Sequence, residues 1–191
     1  PWVEAWDVAF VGSAPTPQGG NYHDEEWPHR RQLVAWLREN YGDRFVHVGN
    51  GGQTVVDDSR NELPTLRGHW CNRLQRSVKV TVGDSCLVTR EGRYWSDRVP
   101  ETWGRGGFLI HPGVTAMSRM FLENPPGFLW DPGGWDQLRA EIDFWLAHPD
   151  ERESTRLRLA GIVRAEKSAE ERESRRVHRH YSGAGASWMR A

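Results

Sequence analysis

The sequence predicts an α/β fold built on a parallel sheet, and three observations carry that expectation. Short apolar or β-branched runs recur along the chain at Asp7–Ser13 (DVAFVGS), Phe45–Val48 (FVHV), Val78–Val82 (VKVTV) and Phe108–His111 (FLIH). Segments with apolar residues at helical spacing alternate with them. Three of the runs end in small or turn-forming residues: Gly12-Ser13, Gly83-Asp84-Ser85 and His111-Pro112. Strands alternating with helices favour right-handed crossovers and strands that all point the same way.

Taken in order, Asp7–Ser13 reads as a first strand buried on both faces. A Pro- and Gly-rich loop follows from Ala14 to Tyr22, and Pro28 opens a helix with Leu33, Trp36 and Leu37 on one face that Gly42 ends. Phe45–Val48 is the second strand, and Gly49–Leu66 lacks any periodicity. His69–Ser77 reads as a short helix and Val78–Val82 as the third strand. The stretch Tyr94–Pro112, YWSDRVPETWGRGGFLIHP, opens a short helix that glycines stop, then runs into a fourth strand at Phe108–His111. A fifth is expected at Phe128–Trp130. Trp135, Leu138, Ile142, Trp145 and Leu146 share the face of a packed helix. Pro149 begins another, with Asp150 and Glu151 near its positive end. Ser168 with Glu171 is a capping-box pattern, which predicts a third helix there. The whole is a Rossmann-like sheet of five or six strands with a C-terminal helical pack, divided as residues 1–150 and 151–191.

With 191 residues the chain suffices for one domain with a helical appendage. A formal charge of −1 and the lack of a Lys/Arg run give no strong nucleic-acid footprint. Cys71 and Cys86 are too few for a disulfide framework and read as reduced packing thiols. No apolar run reaches the roughly 18 residues of a membrane span, so a cytoplasmic protein is expected. Pro1 in place of Met points to a processed or excised chain with a segment missing upstream. Eleven Trp are spread from Trp2 to Trp188 and suit either a Trp-heavy core or a stacking platform for sugars or bases.

Ligands of open parallel sheets bind beyond the carboxyl ends of the strands. There Ser96 or Asp97 can cap the short helix, leaving free amides beside Arg98, so an anion would meet amide hydrogens, the helix dipole and a guanidinium together. Glu101, one turn on, would repel a phosphate but can accept hydrogen bonds from a diol such as a ribose. An anion-binding group beside a diol-binding group implies a nucleoside diphosphate. The competing reading pairs Arg98 with Glu101 at helical spacing and gives them no ligand. Arg30 and Arg31 either approach the anion or start a solvent-facing helix. His111, at a strand end, either touches the ligand or is a satisfied, half-buried histidine.

The succession Arg67–Ser85, then YWSDRVPETWGRGGFLIHP, then FWLAHPDER at Phe144–Arg152 resembles the C-terminal, donor-binding half of GT-B glycosyltransferases. It more closely resembles their spore-maturation-type, glycosyltransferase family 1-like branch, found in bacteria and phages, over roughly Trp6–Tyr181. The resemblance implies a nucleotide sugar, UDP- or GDP-linked, held as substrate at the carboxyl edge, with no cofactor. It implies ribose contact by Glu101 and diphosphate contact by Arg98 and helix-start amides, including those near Ser96. Asp84 and Ser85 after the third strand, and Gly12 and Ser13 after the first, would border the pocket. No catalytic residue is assigned, and stabilisation of the departing diphosphate would be electrostatic, with no bound metal needed.

Two departures stand out. Many GT-B enzymes carry a second glutamate eight positions ahead, where this chain has Arg93. GT-B catalysis also uses a cleft between two Rossmann-like domains, so the acceptor-binding half must be a missing segment or a separate subunit. The expected function is therefore the donor-binding domain of a glycosyltransferase. The alternative is a non-catalytic nucleotide-binding or assembly module of the same fold. Asp57-Asp58 resembles the metal-binding acids of GT-A transferases, but it sits in an irregular loop, and no metal is expected there.

Overall fold

The computed structural model describes residues 6–12, 29–49, 69–84, 98–112, 127–128 and 134–184. Strand β1 (Trp6–Val11) is followed by helix α1 (Arg30–Tyr41), a short helical turn and β2 (Phe45–Val48). Helix α2 (His69–Ser77) runs straight into β3 (Val78–Val82), and α3 (Arg98–Gly104) precedes β4 (Leu109–Pro112). After β5 (Gly127–Phe128) come α4 (Trp135–Ala147) and the long α5 (Pro149–Ala184).

The strands form one sheet of order β2-β1-β3-β4-β5, every neighbouring pair parallel. Registers such as Val8 opposite Phe45 and Val80 fix how β2, β1 and β3 align. Side chains alternate across the sheet as the strand period requires. On one face Val8, Phe10, Val80, Val82 and Ile110 pack against Leu33 and Leu37 of α1 and Leu138 and Ile142 of α4. On the other face Ala9, Val46 and Val48 meet Leu74 of α2. Beside them Leu109 packs with Val99 and Trp103 of α3 and Leu159 of α5. Helices on both faces of a parallel sheet make a three-layer α/β fold, and the buried aliphatic and Trp side chains that join the layers supply its main driving force.

The strands and helices lie close to their expected places. Gly42 ends α1 as read, adopting φ +51° while its N–H bonds the Arg38 carbonyl. The expected helix start at Ser168 is not there: α5 runs unbroken through that position. A capping box acts only where its first residue leaves helical geometry. Between Pro149 and Ala184 no proline interrupts the hydrogen-bond ladder, so Ser168 and Glu171 are ordinary helical positions. The loop at Ala14–Tyr22 and most of Gly49–Leu66 lie outside the described residues, as do Asp57 and Asp58. Among the described residues no helix is long and apolar enough to cross a membrane.

Candidate functional site

From β1 the sheet grows in two directions, to β2 on one side and to β3 on the other. Such a reversal opens a crevice above the carboxyl ends of the two diverging strands. Two of the expected residues occupy its lips: Gly12 directly after β1 and Asp84 just after β3. The next residues, Ser13 and Ser85, lie outside the described residues, and so does Ser96.

Gly12 is stitched to β2 through both its N–H and its carbonyl. Its N–H donates to the Val48 carbonyl at 2.9 Å, and its carbonyl accepts from Nε2 of His47 at 2.8 Å. His47 is buried edge-on against Phe10, with ring centroids 5.5 Å apart. Its Nδ1 has no hydrogen-bond partner among the described residues. Burial holds the imidazole below its usual pKa, with the charges of Arg38 and Arg30 adding to that and the Gly12 carbonyl opposing it.

Asp84 is the electrostatic centre of the crevice. Arg30, the first residue of α1, grips it with a two-pronged fork, Nε to Oδ2 at 2.6 Å and Nη2 to Oδ1 at 2.9 Å. The pair is largely withdrawn from water, with side-chain exposures of 13% and 10%. Burial pushes the Asp84 carboxyl above its ordinary value, while Arg30 and the charge of Arg98 pull it back. Arg30 also lies over the Phe10 ring at 5.8 Å, which fixes the guanidinium plane. Helices that cross back from parallel strands begin at the carboxyl edge, which is why α1 delivers Arg30 here and not to solvent.

Arg98 opens α3 on the same rim, close enough for its charge to act on Asp84. Val99, Thr102 and Trp103 turn inward and anchor the helix. Arg98 and Glu101 turn outward and meet, Nη1 to Oε2 at 3.1 Å, with exposures of 32% and 46%. The pairing weighed from the sequence is therefore present, on a surface that solvent reaches. An exposed pair at that spacing contributes about 0.2–0.5 kcal/mol, so a ligand can exchange it at small cost.

His111 is fully buried: Nδ1 donates to the Pro112 carbonyl at 2.8 Å, and the ring also bonds the Asp84 backbone. Burial pushes its pKa down to about 4, so it is neutral at physiological pH. It braces the floor of the crevice by tying β4 to the end of β3. Gly83 permits this, because a Cβ there would sit 3.0 Å from the His111 ring.

Sequence reasoning left the Arg30–Asp84 fork and His47 unassigned. For Arg30 the signal was an arginine at the start of the helix after the first strand. For His47 it was one polar residue inside an otherwise apolar strand. Among the described residues no three His, Cys, Asp or Glu side chains gather as a metal site.

The sequence model of the glycosyl transferase-like family matches residues 29–180. A search of curated proteins returns no match. Among solved structures, a sucrose-phosphate synthase from Thermosynechococcus elongatus shares the fold, with a TM-score of 0.59 at 15% identity. The match takes in 94% of this chain and 46% of that one, so this chain spans about half that protein's length.

Proposed function

Because the chain belongs to the glycosyl transferase-like family, we propose that it is the donor-binding domain of a GT-B-type glycosyltransferase. Its ligand is a nucleotide sugar, UDP- or GDP-linked, and an acceptor-binding domain or subunit completes the cleft. We further assign it to the spore-maturation-type branch of bacteria and phages, working in the cytoplasm. The observation that carries the reading is that Arg30 and Arg98 begin two different helices at the carboxyl rim, with Arg30 forked onto Asp84 at the β1/β3 crevice.

Asp84 holds Arg30 in a defined plane, so its guanidinium is pre-oriented. A diphosphate entering above Gly12 draws Arg98 away from Glu101, which frees that carboxylate to accept hydrogen bonds from the ribose. During transfer, negative charge grows on the leaving diphosphate, and fixed guanidinium groups stabilise it without reorganising. His47 and His111, both held below their usual pKa, add no charge of their own at neutral pH.

One observation favours the alternative, a non-catalytic nucleotide-binding or assembly module. Arg30 is matched by Asp84 and Arg98 by Glu101, so each of these two pairs is formally neutral before any ligand arrives. Donor hydrolysis upon addition of an acceptor domain distinguishes the enzyme from the module.

The direct test is a thermal-shift titration. A nucleotide at a hundredfold its Kd stabilises the fold by about 2.7 kcal/mol, which is roughly 5–10 °C for a domain of this size. UDP or GDP should raise the wild-type Tm, and Arg98→Ala should abolish the shift while leaving the unliganded Tm in place. Glu101→Gln should weaken nucleotides more than inorganic pyrophosphate. A wild type insensitive to every nucleotide, or an Arg98→Ala variant that still responds fully, overturns the assignment.

A further inference from the structure

The opposite rim of the sheet carries a second concave surface. A groove of about 460 Å3 opens between the end of α2, the start of β3, the turn after α3 and the first half of α5. Its lining holds five cationic side chains, Arg76, Lys79, Arg152, Arg156 and Arg164, against one carboxylate, Glu153. In a chain of formal charge −1 this is a local concentration of positive charge, and a cleft lined by one sign focuses its field on whatever enters.

The fold itself accounts for part of that charge. Arg152 is buried and donates from Nη1 to the Trp145 carbonyl at 2.6 Å, closing the corner between α4 and α5. Arg156 donates to the Gly106 carbonyl at 2.5 Å and grips Glu153 with its other nitrogens, so those two charges cancel. Lys79 donates to Asp7, an acid it shares with Arg44. Arg76 and Arg164 differ. Both are exposed. Arg164 reaches the Gly104 carbonyl only at 3.4 Å. Arg76 has no hydrogen-bond or ion-pair partner among the described residues.

Like charges gathered round one cavity repel unless an anion shares the space. The cavity has the size of small-molecule clefts, roughly 300–1,000 Å3. One wall is apolar: Leu157, 58% exposed, stands beside Val78 and Ala160. Guanidinium forks match phosphate oxygens in geometry as well as charge.

We propose that this groove binds a small organic polyanion bearing two or more phosphate groups, whose carbon skeleton rests against Leu157. The site lies on the amino edge of the sheet, across the molecule from the crevice at Asp84, and does not depend on the function assigned to that crevice.

The experiment is isothermal titration calorimetry of the whole chain with inorganic tripolyphosphate, at about 0.15 M ionic strength so that long-range attraction is screened. Saturable binding is expected. It should weaken by about tenfold or more in Arg76→Ala/Arg164→Ala, from the loss of two charge-assisted contacts, and further in Arg164→Glu. Both side chains are exposed, so the unliganded Tm of these variants should match wild type. Arg98→Ala should leave the event intact, which separates it from binding at the other rim. Undiminished binding by the double variant, loss of all binding in Arg98→Ala, or absence of saturable heat in the wild type each overturns the proposal. So does displacement of the probe by poly-glutamate at lower concentration, since that would make the groove a docking surface for an acidic protein.

Discussion

Replacing Arg30 with Met removes the guanidinium and keeps most of the side chain's apolar length. Asp84 would then be left about one-tenth exposed, without the fork that meets it at 2.6 and 2.9 Å. Removing one partner of a buried ion pair costs about 3–5 kcal/mol, because the orphaned charge has lost its hydration. For a domain of this size that is a Tm loss of roughly 6–20 °C. The loss should also depend on pH. Burial already raises the Asp84 carboxyl, with Arg30 and Arg98 opposing, so deleting Arg30 raises it further. A carboxyl with a raised folded-state pKa favours folding below its unfolded pKa, and that contribution disappears as pH climbs through the folded value. Arg30→Met should therefore be penalised more at about pH 8 than at about pH 5, relative to wild type at the same pH. Adding Asp84→Asn should return much of the loss. The assay is urea unfolding at both pH values for the wild type, both single variants and the double variant. A penalty under about 1 kcal/mol, equal at both pH values, would mean the pair behaves as a solvated surface bridge, and the buried-fork reasoning would be refuted.

Three other outcomes follow from the packing. His111, held near pKa 4 by burial against an ordinary 6.5, takes up its proton more readily when unfolded. Stability should consequently fall as pH drops from 6.5 towards 4, by about 3 kcal/mol from this group, and His111→Gln should flatten the slope of a urea-midpoint profile across that window. Trp103 is fully buried with Val99, Leu109 and Leu159 where α3 meets α5, so Trp103→Ala should cost about 3–5 kcal/mol in urea unfolding; a loss below about 1 kcal/mol would mean this contact does not hold α3 in place. A Cβ on Gly107 would stand 2.7 Å from Oε1 of Gln75 and 2.8 Å from Cγ2 of Thr102. Gln75 bonds both Thr81 and Thr102, so Gly107→Ala should cost about 1–3 kcal/mol, and an unchanged melting temperature would show that Gln75 simply moves aside.

Local pattern was enough to place the strands and most of the helices. Val78–Val82 and Phe45–Val48 came out as read because β-branched and aromatic runs between turn residues have few other uses in a soluble chain. Parallel pairing followed from the intervening helices. The same local logic misread Ser168, since a capping signature is silent unless the helix has already stopped. At the site, the motif carrying Arg98 and Glu101 was visible because both residues share one helix turn. The fork between Arg30 and Asp84 joins residues far apart in sequence, and no spacing rule reaches across that interval.

The order of residues thus determined which segments are strands, that they run in parallel, and which loops reach the carboxyl rim. Tertiary structure alone decided which charges meet there. It set Arg30 on Asp84, turned Arg98 towards Glu101, and buried two histidines as neutral braces. It also gathered cations from α2, β3 and α5 into one groove on the far rim. The physical reason is range. Propensity and periodicity act over a few residues along the chain, whereas ion pairing and desolvation depend on which parts of the chain the packed core brings within a few ångströms of each other.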